Sequence, residues 1–169
     1  MRLKLVFVLS FLLAITSAMP MRAQKPCMEL RAFAQASLPS PYPIYLYNAW
    51  GGNVYGMLGG QFVQGIFSGG GEAAESHGVN TVGRDGFYKF VFGADSLTVQ
   101  FTNAVWPFPP GKRGIGEYKG EGKIVEGTGR FANAWGNVTW SGPFIVWVEG
   151  ESVYARFNAD IKGSVCGVL

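Results

Sequence analysis

The chain has 169 residues, of which 48% are hydrophobic, and its formal net charge of +3 comes from 14 Lys and Arg against 11 Asp and Glu. Three of the basic residues, Arg2, Lys4 and Arg22, lie within the first 23 positions, so the remaining sequence has 11 basic and 11 acidic residues. A neutral domain of roughly 145 residues lacks the basic surface that a phosphate backbone requires, which disfavours nucleic acid as a partner.

The first 23 residues have the pattern of a secretory signal peptide. Basic residues precede an apolar run at 5–15, and small residues follow it at 16–18. The run is too short to span a membrane. We expect cleavage after Ala18 or Ala23, a mature domain at 24–169 without a membrane span, and an extracellular or periplasmic location. A retained anchor helix is the alternative.

Two cysteines, Cys27 and Cys166, lie near opposite ends of the mature domain. In an oxidising compartment they are expected to form a disulfide that closes nearly the whole domain into one loop. The alternative is a reactive cysteine, but neither residue has a base near it in the sequence.

Most of the mature sequence alternates between apolar and polar residues with the period of a β-strand. Strands are predicted at 44–49, 54–58, 61–67, 97–103, 137–148 and 152–161. The segment 28–38 fits a strand or a short helix, and the Gly, Glu, Ser and Asn content of 68–84 predicts a long surface loop. Since no segment keeps a helical period, the sequence predicts an antiparallel all-β barrel or sandwich.

The segment 117–124 has two contrasting faces. One carries charges of alternating sign, at Glu117, Lys119, Glu121 and Lys123, and the other has Tyr118, Gly120, Gly122 and Ile124. Glycines on the inward face of a strand mark a place where something approaches the backbone closely. That neighbour is either a ligand or an aromatic side chain of this chain, Phe131 or Trp135, folded back into the interior.

The following run at 123–136, KIVEGTGRFANAWG, resembles the strand–turn–strand motif of the allene oxide cyclase-like barrels, which are akin to the plant dirigent proteins. The run FYKFVFG at 87–93 is similar to the aromatic strand and glycine turn of the same family. The resemblance covers about 86–148. It implies a single closed, antiparallel barrel of about eight strands with an elongated apolar cavity.

The sequence lacks the catalytic residues that the cyclases of this family use. The cyclases use a carboxylate and an Asn two residues later on the first barrel strand, whereas Asn48 and Trp50 occupy the matching positions here. Glu126 is the candidate catalytic acid, because it would share the inward face with Ile124. The single histidine, His77, lies in the predicted loop, and no Cys/His cluster has metal-ligand spacing. We therefore expect neither a metal nor a cofactor.

Three functions from different classes remain open. The first is a secreted, non-catalytic barrel that binds a small, largely apolar or phenolic ligand in its cavity, since aromatic residues line such sites. Its candidate ligand-binding residues are Tyr45, Tyr47, Trp50, Tyr118, Gly120, Gly122, Phe131 and Trp135. The alternative is an allene oxide cyclase- or dirigent-like isomerase or stereocontrol protein acting on a lipid or phenolic substrate. An envelope-structural role needs no pocket. The sequence predicts no oligomeric state.

Overall fold

The computed structural model of the protein describes residues 26–37, 50–77, 80–106, 114–150 and 152–168. The predicted signal peptide therefore lies outside the described residues. In chain order the strands are β1 (Met28–Ser37), β2 (Trp50–Leu58), β3 (Gln61–His77), β4 (Asn80–Phe92), β5 (Asp95–Trp106), β6 (Gly114–Thr128), β7 (Trp135–Glu149) and β8 (Ser152–Cys166), with a short 3-10 turn at Gly129–Phe131.

Each strand pairs antiparallel with the next one along the chain, and β8 pairs with β1 to close the barrel. The register of this closing pair runs from Met28 opposite Val165 to Ser37 opposite Arg156. The structure thus confirms the predicted closed eight-stranded antiparallel barrel. Residues 28–37 form a strand, whereas the sequence had allowed either a strand or a short helix at this segment.

Strand alternation separates an apolar interior from a wetter outer face. On β8, for example, Ala155, Phe157, Ala159 and Ile161 are buried, whereas Arg156, Asp160 and Lys162 are exposed. The buried side chains of all eight strands form one continuous apolar cluster. Burial of each Val-, Ile- or Phe-sized side chain contributes about 1.5–3 kcal/mol, so this interior is the main source of stability.

The hairpin of β3 and β4 replaces the surface loop predicted at 68–84. The two strands pair from Ile66 opposite Val91 to His77 opposite Asn80, with register shifts between Gly70 and Glu72 and between Ala73 and Glu75. Each shift adds an unpaired residue and interrupts the period of two. The prediction was wrong because bulges and glycines conceal the alternation by which strands are recognised.

The two ends of the barrel differ. One end, here called the plugged end, has short connections at 59–60, 93–94 and 129–134, together with the disulfide. Gly59 and Gly60 have φ values of 56° and 85°, which the tight turn between β2 and β3 requires. At the opposite end, called the loop end, the strands are joined by 38–49, 78–79, 107–113 and 151, which lie outside the described residues.

The predicted disulfide between Cys27 and Cys166 is confirmed. It lies at the plugged end, where it joins the residue before β1 to the last residue of β8. Across the described ranges, no helix has the length and apolar character needed to cross a bilayer.

We expect removal of this disulfide to destabilise the barrel, since the bond spans a sequence separation of 139 residues. In the chain-entropy model a loop of this size is worth up to about 5 kcal/mol. Urea unfolding of the double variant C27S/C166S should therefore give a lower midpoint than the oxidised wild type. Dithiothreitol should lower the wild-type midpoint and leave that of the double variant unchanged. Equal midpoints for oxidised wild type and variant would contradict the prediction.

Candidate functional site

The polar centre of the barrel interior is a pair of tyrosines. Tyr88 on β4 and Tyr118 on β6 are 4% and 0% exposed, and their hydroxyl oxygens are 2.5 Å apart. Both face inward by strand alternation, Tyr88 next to Phe90 and Tyr118 between Gly116 and Gly120. The small inward neighbours of Tyr118 leave volume for its ring.

Aromatic side chains enclose this pair. The ring of Tyr88 lies 5.3 Å from that of Phe101 and meets Trp140 edge-on at 5.5 Å. The ring of Tyr118 lies 5.0 Å from Phe157. Contacts of this geometry add to the energy of simple burial, and the rings keep both hydroxyl groups away from bulk solvent.

This environment shifts the ionisation of both tyrosines. Burial raises the pKa of Tyr88 well above its ordinary value of 10.0, and the neighbouring Tyr118 raises it further. Burial also raises the pKa of Tyr118, while hydrogen-bonding groups of Tyr88 and Trp140 act in the opposite direction. Both hydroxyls are therefore neutral at physiological pH. They can donate and accept hydrogen bonds, but neither serves as a base.

The indole of Trp140 supplies the third polar atom of the centre. Its Nε1–H is close enough to the Tyr118 oxygen to lower the pKa of that hydroxyl, yet it lacks hydrogen-bond geometry to any described atom. A buried donor without a partner costs about 1–3 kcal/mol. The Tyr88, Tyr118 and Trp140 side chains, here called the tyrosine centre, thus combine two neutral hydroxyls with an unsatisfied N–H.

Little empty space adjoins the tyrosine centre. A cavity of about 20 Å³ is bounded by this centre and by neighbouring side chains that include Phe67 and Ala34. A second cavity, of about 10 Å³, lies towards the plugged end beside Leu30 and Ile124. Neither approaches the roughly 300–1,000 Å³ of small-molecule pockets. Around these described side chains, aromatic rings fill the elongated cavity that the family resemblance implied.

The predicted ligand-facing glycines have different surroundings. A Cβ on Gly122 would lie 2.6 Å from the carbonyl oxygen of Gln100 and 2.7 Å from Cγ1 of Val99. Close approach of β5, rather than a ligand, therefore accounts for this glycine. Gly120 is partly buried, and its Cα neighbours across the sheet are Ala104 and Trp140.

Phe131 is fully buried, but at the plugged end, where its ring lies 5.9 Å from that of Phe92. The turn beside it is held by Asp95, whose Oδ1 accepts a hydrogen bond of 3.1 Å from the backbone N–H of Arg130. Phe131 therefore fills the plugged end of the barrel, away from the tyrosine centre, and is not the side chain that approaches Gly122, which the self-packing alternative expected it to be.

Trp135 and Glu126 point away from the interior, contrary to expectation. Trp135 is 51% exposed, because it shares the outer face with Asn137 and Thr139. Thr98 pairs with Glu126 and Val99 with Ile124, so Val125 forms a bulge. This extra residue breaks the parity on which the inward position of Glu126 was based, and the glutamate is exposed.

Several predicted residues lie beyond what the structure describes. Tyr45 and Tyr47 are outside the described residues, as are the side chains of Trp50 and His77. Their roles stay predictions. The sequence reasoning missed Tyr88 and Trp140 as site residues. The neighbouring Lys89 was a usable signal, because a charged residue is expected to face outward and the residue before it on the strand, Tyr88, then faces inward.

Among the side chains that the structure describes, no Asp, Glu, His, Lys or Arg is buried in the interior. The buried residue of polar type there is Ser96, whose hydroxyl is 2.9 Å from that of Thr128. Within the same described part, no three His, Cys, Asp or Glu side chains are grouped to hold a metal. The arrangement can therefore offer neutral hydrogen bonds and aromatic surfaces to a bound molecule.

Comparison with known proteins gives likeness in structure only. No family model matches the chain, and no curated protein does. Its topology of eight sequential strands closed between β1 and β8 is the one that the family resemblance implied.

The fold is a closed, eight-stranded antiparallel barrel.

Among solved structures, the pterocarpan synthase dirigent protein PsPTS1 is similar at 12% identity and a TM-score of 0.41, over 86% of this chain and 98% of its own. The pterocarpan synthase dirigent protein GePTS1 is similar at 11% identity and a TM-score of 0.38, over 91% of this chain and 98% of its own. At these identities the likeness concerns the fold alone.

We expect the tyrosine pair to be energetically coupled. The variants Y88F and Y118F each remove one hydroxyl and leave its partner buried, so each should lose about 1–3 kcal/mol of stability. The double variant Y88F/Y118F should lose less than the sum of the two single changes, because no orphaned hydroxyl remains. A double-mutant cycle from urea unfolding measures this coupling, and additive losses would contradict it.

Alkaline pH should destabilise the barrel through the same pair. In the unfolded chain tyrosines ionise near pH 10, whereas folding raises the pKa of Tyr88 and Tyr118. Their contribution is complete below pH 10 and is lost as the pH rises further, by up to about 1.4 kcal/mol per pH unit for each tyrosine. Unfolding free energies measured from pH 9 to 11.5 should fall less steeply in Y88F/Y118F. Equal slopes would disprove the assignment.

Proposed function

We propose that this protein is a secreted, non-catalytic barrel that binds a small, largely apolar or phenolic ligand inside its loop end, with the tyrosine centre as the polar floor of the site. The observation that carries the proposal is the Trp140 Nε1–H, a buried donor that lacks a described hydrogen-bond partner. A ligand oxygen placed beside it would satisfy this donor, and the surrounding rings would bury an apolar body.

The shape of the interior supports a site on this side of the barrel. Towards the loop end, most inward residues of β1 and β8 are small, namely Ala34, Ala36, Ala155 and Ala159, and Phe157 is the large one among them. Towards the plugged end they are larger, with Leu30, Ile161 and Val165. These alanines occupy less volume on the shared wall of β1 and β8 than Leu30, Ile161 and Val165 do towards the plugged end, so a ligand that enters at the loop end meets the aromatic rings before the plugged end.

The chemistry of the interior supports binding over catalysis. Cyclisation or acid-dependent stereocontrol of a lipid or phenolic substrate by the chemistry that the family resemblance implies would use a carboxyl group near the reacting atoms. The candidate acid, Glu126, lies on the outer face, and no carboxylate is buried among the described side chains. Neutral tyrosine hydroxyls and an indole N–H can orient a bound molecule without reacting with it.

Secretion is part of the proposal and rests on two independent features. The N-terminal 23 residues have a signal-peptide pattern, and the Cys27–Cys166 disulfide is a bond that persists in oxidising compartments. Protein recovered from the culture medium or periplasm, with its N-terminus beginning after Ala18 or Ala23, would agree with this location.

The test is native mass spectrometry of protein purified from its own host, followed by titration with 2-naphthol as a phenolic probe. Wild type should retain a small molecule and bind the probe. W140F keeps an aromatic ring but removes the N–H, so we expect its affinity for 2-naphthol to fall at least fivefold.

W135F is the matched control, because it changes an exposed tryptophan on the outer face. Its affinity should equal that of the wild type. The proposal fails if the native protein carries no small molecule and binds no probe, or if W140F and W135F bind 2-naphthol equally well.

A further inference from the structure

A groove of about 330 Å³ lies on the outside of the barrel, across β8, β1 and β2. Its floor is formed by the strands at Ala32, Gly56 and Ile161, which are inward positions of the alternation. Its walls are the outward side chains of Arg31, Phe33, Tyr55, Asp160 and Lys162. It is larger than either interior cavity and open to solvent, and the proposed ligand site inside the barrel makes no use of it.

An aromatic pair forms one wall of the groove. Phe33 and Tyr55 are direct cross-strand neighbours, and their ring centroids are 5.5 Å apart at an interplanar angle of 42°. Tyr55 lies on the outer face of the sheet, and 43% of its surface is exposed to water. Aromatic faces carry negative partial charge and attract positively polarised C–H groups, such as those on the faces of sugar rings.

Charged side chains of both signs form the rest of the wall. Lys162 is directly opposite Arg31, and Asp160 is directly opposite Phe33. Glu29 accepts a 2.6 Å hydrogen bond from Nε of Arg31 and neutralises its charge. The groove itself is lined by Arg31, Lys162 and Asp160, and with Glu29 beside Arg31 the two positive and two negative charges of this surface balance, so it offers both donors and acceptors. An anion would face two carboxylates, and a cation would face Arg31 and Lys162.

Amide side chains extend this surface towards the loop end. Gln35 is paired with Asn53 on one side and with Asn158 on the other. Gln35 and Asn53 are exposed. They form the next outward row beyond Phe33 and Tyr55, since outward positions along a strand are two residues apart. The polar and aromatic surface is therefore longer than the groove itself.

We propose that this outer groove binds a neutral oligosaccharide, with one sugar ring on the Phe33–Tyr55 pair and its hydroxyl groups hydrogen-bonded to Asp160, Lys162 and Arg31. A sugar hydroxyl both donates and accepts, which fits a wall that has both kinds of group. The open shape suits a chain that passes across the sheet. A protein partner fits less well, because the centres of protein interfaces are depleted of Lys and Asp.

Isothermal titration calorimetry of the purified protein with cellohexaose, xylohexaose and laminarihexaose tests the proposal. At least one of these neutral probes should bind, and Y55A should weaken that binding at least tenfold. F62A is the control, since Phe62 is an aromatic residue of β3 that is 64% exposed and lies outside the groove. Its affinity should match that of the wild type, and circular dichroism should show both variants folded.

Three results would overturn the proposal. The first is that none of the neutral hexasaccharides binds, or that hexagalacturonate alone does. The second is that Y55A binds as tightly as the wild type. The third is self-association, measured by sedimentation, that Y55A abolishes, because a second copy of the chain would then occupy the groove. Loss of hexasaccharide binding in Y55A with 2-naphthol binding intact would separate this site from the one inside the barrel.

Discussion

Pairing of β1 with β8 is the constraint on which the rest of the structure depends. The register joins every residue from Met28 to Ser37 to a partner on β8, and without it both strands would be open edges. Closure also determines which face of each strand is buried, because only a closed sheet has an inside that is shielded from water on all sides. The disulfide between Cys27 and Cys166 holds this seam at the plugged end, where the two strands have no hairpin to join them.

Closure in turn fixes how the interior is filled. An eight-stranded barrel is just wide enough for side chains to fill it, and rings from strands that are not neighbours in the sheet therefore meet in the interior. Tyr118 reaches Phe157 and Tyr88 in this way. Two hydroxyls this deep in an apolar interior must satisfy each other, which explains their pairing. The indole N–H of Trp140, by contrast, is left without a described partner, so the interior is filled but its hydrogen bonding is not complete.

The regularity of the apolar and polar alternation within each segment determined how much of the fold and of the site could be predicted from sequence. Strands with regular alternation, such as 152–161, were predicted correctly, and the disulfide followed from the presence of two cysteines in a chain with a signal-peptide pattern. The β3–β4 hairpin and the outward position of Glu126 were missed for one shared reason. A bulge shifts the face of every later residue, and its position depends on the partner strand, which one segment of sequence does not show. Of the tyrosine centre only Tyr118 was predicted as a site residue, because the three members come from three strands and only the barrel brings them together.

Strand alternation also makes the two proposed sites independent, although they share a strand. On β1, Ala34 points to the interior beside the tyrosine centre, and Phe33 points outward to the groove. One sheet thickness separates the two surfaces, and the backbone between them is fixed by pairing on both sides. A change of side chain on one face therefore leaves the other face in place. A closed barrel can in this way carry an apolar site within and a polar, aromatic site outside, each built from residues that alternate along the same strands.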